Sequence, residues 1–147
     1  MAEIVVRALG AADRDAWAAL RHALWPNHSV EELRDELADM LTGDFAGFGA
    51  FDGAAPVGFA EVSERPWGDG CETAPVAWLE GIYVAPAYRQ AGIGARLVAA
   101  VEGWARGRGL SELGSDAELA NLVSRLSHAL WGFEETERVV RFRKALT

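Results

Sequence analysis

A chain of 147 residues, half of them hydrophobic, is long enough to bury a core and too apolar to be disordered, so one domain over 1–147 is expected. Its 22 acidic side chains outnumber 14 basic ones, and a formal charge of −8 argues against a nucleic-acid or anionic-membrane surface. The sequence has no run of about 18 apolar residues and no basic-then-apolar leader, which predicts a soluble, cytoplasmic protein. The single cysteine, Cys71, excludes an internal disulfide and agrees with a reducing compartment. It lies in a Gly/Asp/Glu-rich loop with no histidine beside it and reads as a surface thiol, not a nucleophile.

In chain order, residues 4–9 form a short apolar run, a first strand. Asp13 is placed to cap a helix over 14–25, with Trp17, Leu20 and Leu24 on its buried stripe and Pro26 as its stop. Ser29-Val30-Glu31-Glu32 is a capping box, after which Val30, Leu33, Leu37 and Leu41 recur at helical spacing as far as Gly43. Trp25, Asn27 and His28 fall in the break between the helices. An aromatic there is either core or the cover of a ligand, and His28 is either ordinary surface or a ligand contact. Residues 45–51 and 57–63 flank Asp52-Gly53 and predict a hairpin, with Gly58 as a candidate bulge. Residues 65–73 form a polar loop carrying Trp67, Asp69 and Glu72.

Residues 78–84 (WLEGIYV) suit a buried strand that Pro86 ends. Glu80 is its one charged residue, and a carboxylate buried there is costly unless paired. It is either a salt-bridge partner or a carboxylate facing a cleft, where it orders and helps deprotonate a substrate ammonium. Gly81 leaves room for another backbone or a ligand. Ile93, Leu97, Val101 and Ala105 recur at spacings of four, one face of a helix. At its mouth lies Arg89-Gln90-Ala91-Gly92-Ile93-Gly94. Glycines there admit a ligand close to the backbone, and unsatisfied N–H groups with the helix dipole behind them suit phosphate or pyrophosphate. Arg89 adds a positive charge. The spacing is neither that of a Walker loop nor G-x-G-x-x-G.

Gly107 and Gly109 end that helix, and residues 110–114 are the next strand. Ser115-x-x-Glu118 offers a second capping box, and Leu119, Leu122, Val123, Leu126 and Leu130 line a helix that Gly132 stops. Asp116, at the strand-to-helix corner, is either a cap or a ligand residue on the carboxyl edge of the sheet. Asn121 and His128, seven apart, share one helix face. Residues 133–146 end the chain as one long strand or two short ones, expected to help form a homodimer.

Arg89-x-x-Gly92-x-Gly94, after a strand ending Tyr83-Val84-x-Pro86, resembles the acetyl-coenzyme A loop of the GNAT superfamily of N-acetyltransferases. Leu24-Trp25-Pro26, residues 75–84, Ser115-Asp116-Ala117 and residues 132–140 are similar to the short aminoglycoside 6′-N-acetyltransferases. The resemblance implies an α/β (α+β) fold, a mixed central sheet of six to seven strands flanked by about four helices. It implies acetyl-coenzyme A as co-substrate, held by Ile82, Tyr83 and Val84 of the strand and by the loop Arg89, Gln90, Ala91, Gly92, Ile93, Gly94 and Ala95. Asn121 would contact the pantetheine arm. Trp25, His28, Trp67, Glu80, Asp116 and Glu137 would line the site of a cationic aminoglycoside, Trp67 standing where the family often has tyrosine. Glu80 would act as base. His128 would stand for a tyrosine that protonates the leaving thiolate. No metal is implied. The activity implied is acetyl transfer to a 6′ amine by direct attack in a ternary complex, giving antibiotic resistance. Two other readings stay open. One is an acetyltransferase acting on polyamines or protein amines. The other is a non-catalytic acetyl-coenzyme A sensor, which would keep the loop but has no need of the carboxylates.

Overall fold

A computed structural model describes residues 3–147, which divide after Ser115 into two compact units. In the first unit, helix periodicity and caps act much as expected. Helix α1 (Arg14–Leu24) closes where the Trp25 N–H reaches the Arg21 carbonyl and Pro26 follows. Asp13 precedes it but makes no cap bond. Its carboxylate instead accepts both Arg7 Nη groups and the Gly10 N–H, which holds its pKa below the ordinary value. Ser29 caps α2 (Val30–Met40) by accepting the Glu32 N–H.

The strands are β1 (Ile4–Ala8), β2 (Phe45–Asp52), β3 (Ala55–Arg65), β4 (Val76–Val84) and β5 (Leu113–Gly114). They form one sheet in the order β1-β2-β3-β4-β5, antiparallel as far as β4 and parallel at β5. Gly53, at φ +59°, turns the β2–β3 hairpin. Ala50 faces Gly58 while Phe51 faces Pro56, so the bulged residue is Val57, one before the expected glycine. Helix α3 (Ile93–Gly107) returns the chain across the sheet.

Strand alternation sorts β3 between two layers. Phe59 and Glu61 face α1, and Gly58 lies beneath Leu97 of α3. On the α1 side, Trp17, Leu20, Leu37 and Phe59 form the core. Glu61 is 1% exposed in that core. Trp17 Nε1–H donates to its Oε2 at 2.6 Å. Arg21 Nε lies 3.0 Å from the same oxygen, an ion pair whose angle falls short of a hydrogen bond. Burial pushes the Glu61 carboxyl up to about 7 against the opposing pull of Arg21 and Trp17.

The sheet has five strands rather than six to seven among the described residues. The predicted strand at 110–114 shrinks to two residues, and no strand forms within 133–147, where no ladder partner is paired with the chain. In the second unit the helix does not start at the expected Ser115-x-x-Glu118 position. Helix α4 (Leu122–Leu130) starts later, capped by Asn121, whose side-chain oxygen accepts the Ser124 N–H. Of the residues expected to line it, Leu119 precedes the helix, and all five, Leu119, Leu122, Val123, Leu126 and Leu130, are more than half exposed.

Candidate active site

Strand β4 changes character at Glu80. Opposite it, Glu61 faces Gly81 and Val62 faces Leu79, so Glu80 is the extra residue of a bulge. The strand is buried through Leu79 and only half-buried from Glu80 to Val84. Strand β5 pairs with it at Ala77 and Trp78 alone, so beyond Trp78 that edge has no strand partner among the described residues. Which N–H groups face the open edge follows from parity. The Ala85 N–H points to Val57 of β3, hence those of Ile82 and Val84 point away from β3. Each is an unpaired backbone donor at an open edge, the kind of group that can polarise a carbonyl.

Glu80 meets the first of the two readings left open for it, that of a salt-bridge partner. Arg65 donates to it through two nitrogens, Nε to Oε2 at 2.9 Å and Nη2 to Oε1 at 2.7 Å, and Ser63 Oγ–H donates to Oε2 at 2.5 Å. The carboxylate is nevertheless 25% exposed. The Arg65 guanidinium lies 4.5 Å over the Trp78 ring, which is itself wedged against Gly68 and Gly114, where a Cβ would come within 2.8 and 2.4 Å of the ring. Gly81 has a different use from the one expected. Trp25 fills its space, and a Cβ there would lie 2.7 Å from the indole. Trp25 meets Phe59 edge-on at 6.1 Å and carries the Arg21 guanidinium at 5.1 Å. It therefore packs on the core while remaining half-buried, over Gly81, the residue after Glu80. His28 is exposed, with Nδ1 at 3.6 Å from Glu32.

Trp67 is 70% exposed and lines an open depression of about 340 Å³ with Arg65, Pro66 and Asp69. Its loop is clasped at the far end by Glu112, which accepts the Glu72 N–H, the Thr73 N–H and the Thr73 hydroxyl. These bonds, the hydroxyl first, hold the Glu112 carboxyl below its ordinary value. Partial burial, with Glu112 and Asp69 nearby, pushes the Cys71 thiol up, which suits an inert thiol.

At the glycine loop, Gln90 and Gly92 both take positive φ, 63° and 79°. Arg96 is the first residue of α3 whose N–H returns to a carbonyl, that of Gly92, so the N–H groups of Ile93, Gly94 and Ala95 have no acceptor within the helix. The first turn of α3 carries no acid. Arg89 Nε donates to the Val84 carbonyl at 2.7 Å, which leaves its Nη donors for a ligand. Tyr88 donates to Asp52 at 2.6 Å, tying the loop to the hairpin. Donors in this number, with no competing carboxylate, fit a pyrophosphate.

In the second unit Asp116 and Glu137 are exposed. Asn121 spends its side-chain oxygen on the cap of α4 and keeps its amide N–H₂ to donate. His128 Nδ1 lies 2.7 Å from the Ser124 carbonyl, which only accepts, so Nδ1 carries a hydrogen. The imidazole packs against Trp131 and Phe133, at 5.4 and 5.0 Å between ring centroids.

Residues 14–133 match the model of the acetyltransferase (GNAT) family. The chain belongs to that family. It is 51% identical over 137 residues to the aminoglycoside N(6′)-acetyltransferase type 1 of Serratia marcescens, covering 90% of this chain and 92% of that one. Identity to the enzyme of the same name from Klebsiella aerogenes is 42% over 148 residues, covering 97% of each. Among solved structures, AAC(6′)-Iy in complex with the bisubstrate analog CoA-S-monomethyl-acetylneamine superposes with a TM-score of 0.93 at 36% identity, covering 99% of this chain and all of that one.

Within this GNAT fold the structure gathers Glu80, Trp25 and the N–H groups of Ile82 and Val84 around one bulge of β4. It also shows residues the sequence reading missed. Ser63 and Arg65 alternate on one face of β3, and that period-2 spacing near a buried acid was their available signal. Asp52 and Glu112 carried none, since each acts on a partner dozens of residues away.

Proposed function

We propose that this GNAT enzyme transfers the acetyl group of acetyl-coenzyme A to the 6′ amine of aminoglycoside antibiotics, by direct attack in a ternary complex in the cytoplasm, and so confers resistance. The observation that carries the reading is Glu80, an ionisable, partly exposed carboxylate set by a bulge beside the outward N–H groups of Ile82 and Val84. The names of its relatives support the substrate class. The family model runs across the division at Ser115, which supports the reading of 1–147 as one working domain.

Acetyl-coenzyme A, when bound, supplies the thioester. Arg89 through Ala95 would hold its pyrophosphate by backbone N–H groups and charge, and the Asn121 amide would meet its pantetheine arm. The N–H of Ile82 or of Val84, one of the two because they stand about 7 Å apart along the strand, would polarise the carbonyl under attack. Glu80, directly or through water, would take the ammonium proton, worth roughly 10²–10⁴-fold. Holding amine against thioester adds its own share by proximity. His128 would return a proton to the leaving thiolate. Asp116 and Glu137 would pair with further ammonium groups, while Trp25, Trp67 and His28 would contact the sugar rings. The exposed apolar side chains Val139, Val140, Phe142 and Leu146 support a homodimer through the C-terminal segment.

The test is thiol release from acetyl-coenzyme A with tobramycin, spermidine or a lysine peptide as acceptor. Fast release with tobramycin alone, lost for an analogue bearing a 6′ hydroxyl, is expected. Release with spermidine or peptide alone would overturn the substrate class, and cofactor binding without release from any acceptor would make the protein a sensor.

A further inference from the structure

We propose that Arg65 and Ser63 are positioning residues for the reaction, holding Glu80 so that its carboxylate presents one acceptor site, on Oε1, to the amine or to the water that relays its proton. The inference rests on the reading of Glu80 as proton acceptor. A carboxylate has about four lone-pair sites. Oε2 receives Ser63 Oγ–H and Arg65 Nε–H, and Oε1 receives Arg65 Nη2–H. No other hydrogen bond to this carboxylate is made among the described residues, so a single site on Oε1 is left, on a side chain 25% exposed.

The frame that holds this geometry is stiff. Ser63 and Arg65 stand on the same face of β3, opposite Trp78 and Val76 of β4. The Arg65 guanidinium rests on the Trp78 ring, and that ring fits closely against Gly68 and Gly114. The planar fork of arginine fixes both oxygens at once, which a lysine cannot do.

The consequence concerns what the base does to its substrate. A carboxylate with both oxygens unengaged would grip an ammonium ion with two bonds and stabilise the bound ground state as much as the transition state, which leaves turnover unimproved. Restricted to one site, Glu80 aims at one proton and holds the cation weakly. Arg65 also neutralises part of the charge that would otherwise bind an ammonium group at that point.

The experiment compares kcat and KM for tobramycin and acetyl-coenzyme A in the full-length wild type, Glu80→Gln, Ser63→Ala, Arg65→Lys and Arg65→Gln, and in the two Glu80→Gln double variants Ser63→Ala/Glu80→Gln and Arg65→Gln/Glu80→Gln. Thermal melting is followed for each. Arg65→Gln is expected to lower kcat roughly tenfold or more, with the tobramycin KM unchanged or lower and the acetyl-coenzyme A KM unchanged. Arg65→Lys should recover part of that loss, and Ser63→Ala should show a smaller fall of the same kind. All these effects should vanish in the Glu80→Gln background. Wild-type kcat in Ser63→Ala and Arg65→Gln, with turnover lost in Glu80→Gln, would overturn this inference alone, as would losses that multiply with that of Glu80→Gln. Wild-type turnover in Glu80→Gln would overturn the reading of Glu80 and this inference with it. If Arg65→Gln does not fold, Ser63→Ala, which removes one hydroxyl, decides.

Discussion

Two glutamates at neighbouring points of the sheet show how surroundings divide the work of one side-chain type. Glu80 is half-buried, held by a bidentate arginine and a serine, with its side chain still 25% exposed. Glu61 lies under α1 with Trp17 and Arg21, and burial is the largest influence on it, raising its carboxyl from an ordinary 4.5 to about 7. Its sign follows from linkage. Below about 4.5 the group is protonated folded and unfolded alike. Between there and about 7 the unfolded chain releases the proton while the folded chain keeps it, so stability falls as pH rises, by up to about 3 kcal/mol. Urea unfolding at pH 5 and pH 8 should therefore show a larger loss in the wild type than in Glu61→Gln. Parallel losses in the two proteins would refute it.

At the scale of elements, the turn into α3 concentrates the conformational strain. Gln90 and Gly92 both stand at positive φ immediately before the helix whose first N–H groups lack acceptors. No atom crowds Gly92, so the objection to a side chain there is conformational only. Gly92→Ala should cost about 1–2 kcal/mol of local strain and shift the loop that precedes α3. The expected result is a raised KM for acetyl-coenzyme A with the tobramycin KM unchanged, read by steady-state kinetics. An unchanged acetyl-coenzyme A KM would remove this loop from cofactor binding. The hydrogen bond from Tyr88 to Asp52 and the clasp of Glu112 on Glu72 and Thr73 anchor the loops before α3 and before β4 in the same manner, by one carboxylate each.

For the whole molecule, the residues after Ser115 set the question of assembly. The apolar face of α4 and the side chains Val139, Val140, Phe142 and Leu146 are exposed, and no strand forms after β5. Apolar area of this kind gains by covering. Light scattering at micromolar concentration should give twice the 15.8 kDa chain mass, and truncation after Glu134 should lower it to that of one chain. A monomeric mass for the intact protein would sink the homodimer. None of the helices among the described residues is long and apolar enough to cross a membrane.

What the sequence by itself determined is what local chemistry controls. Apolar periodicity and the Ser29 cap set α1 and α2, Asp52-Gly53 set the hairpin, and the glycines before Ile93 marked the turn into α3, because each signal lies within about one turn or one hairpin of its effect. The isolated charge of Glu80 was legible as a residue needing a partner, but not which partner. Arg65 stands 15 residues away and Trp17 stands 44 from Glu61. Antiparallel register brings such pairs together, and the bulge that turns Glu80 toward Ser63 and Arg65 is a one-residue slip no pattern of types reveals. The helical periodicity of 119–130 and the charge alternation of 133–146 mark apolar faces alike, yet whether such a face is buried depends on what covers it, and only the tertiary structure decides that.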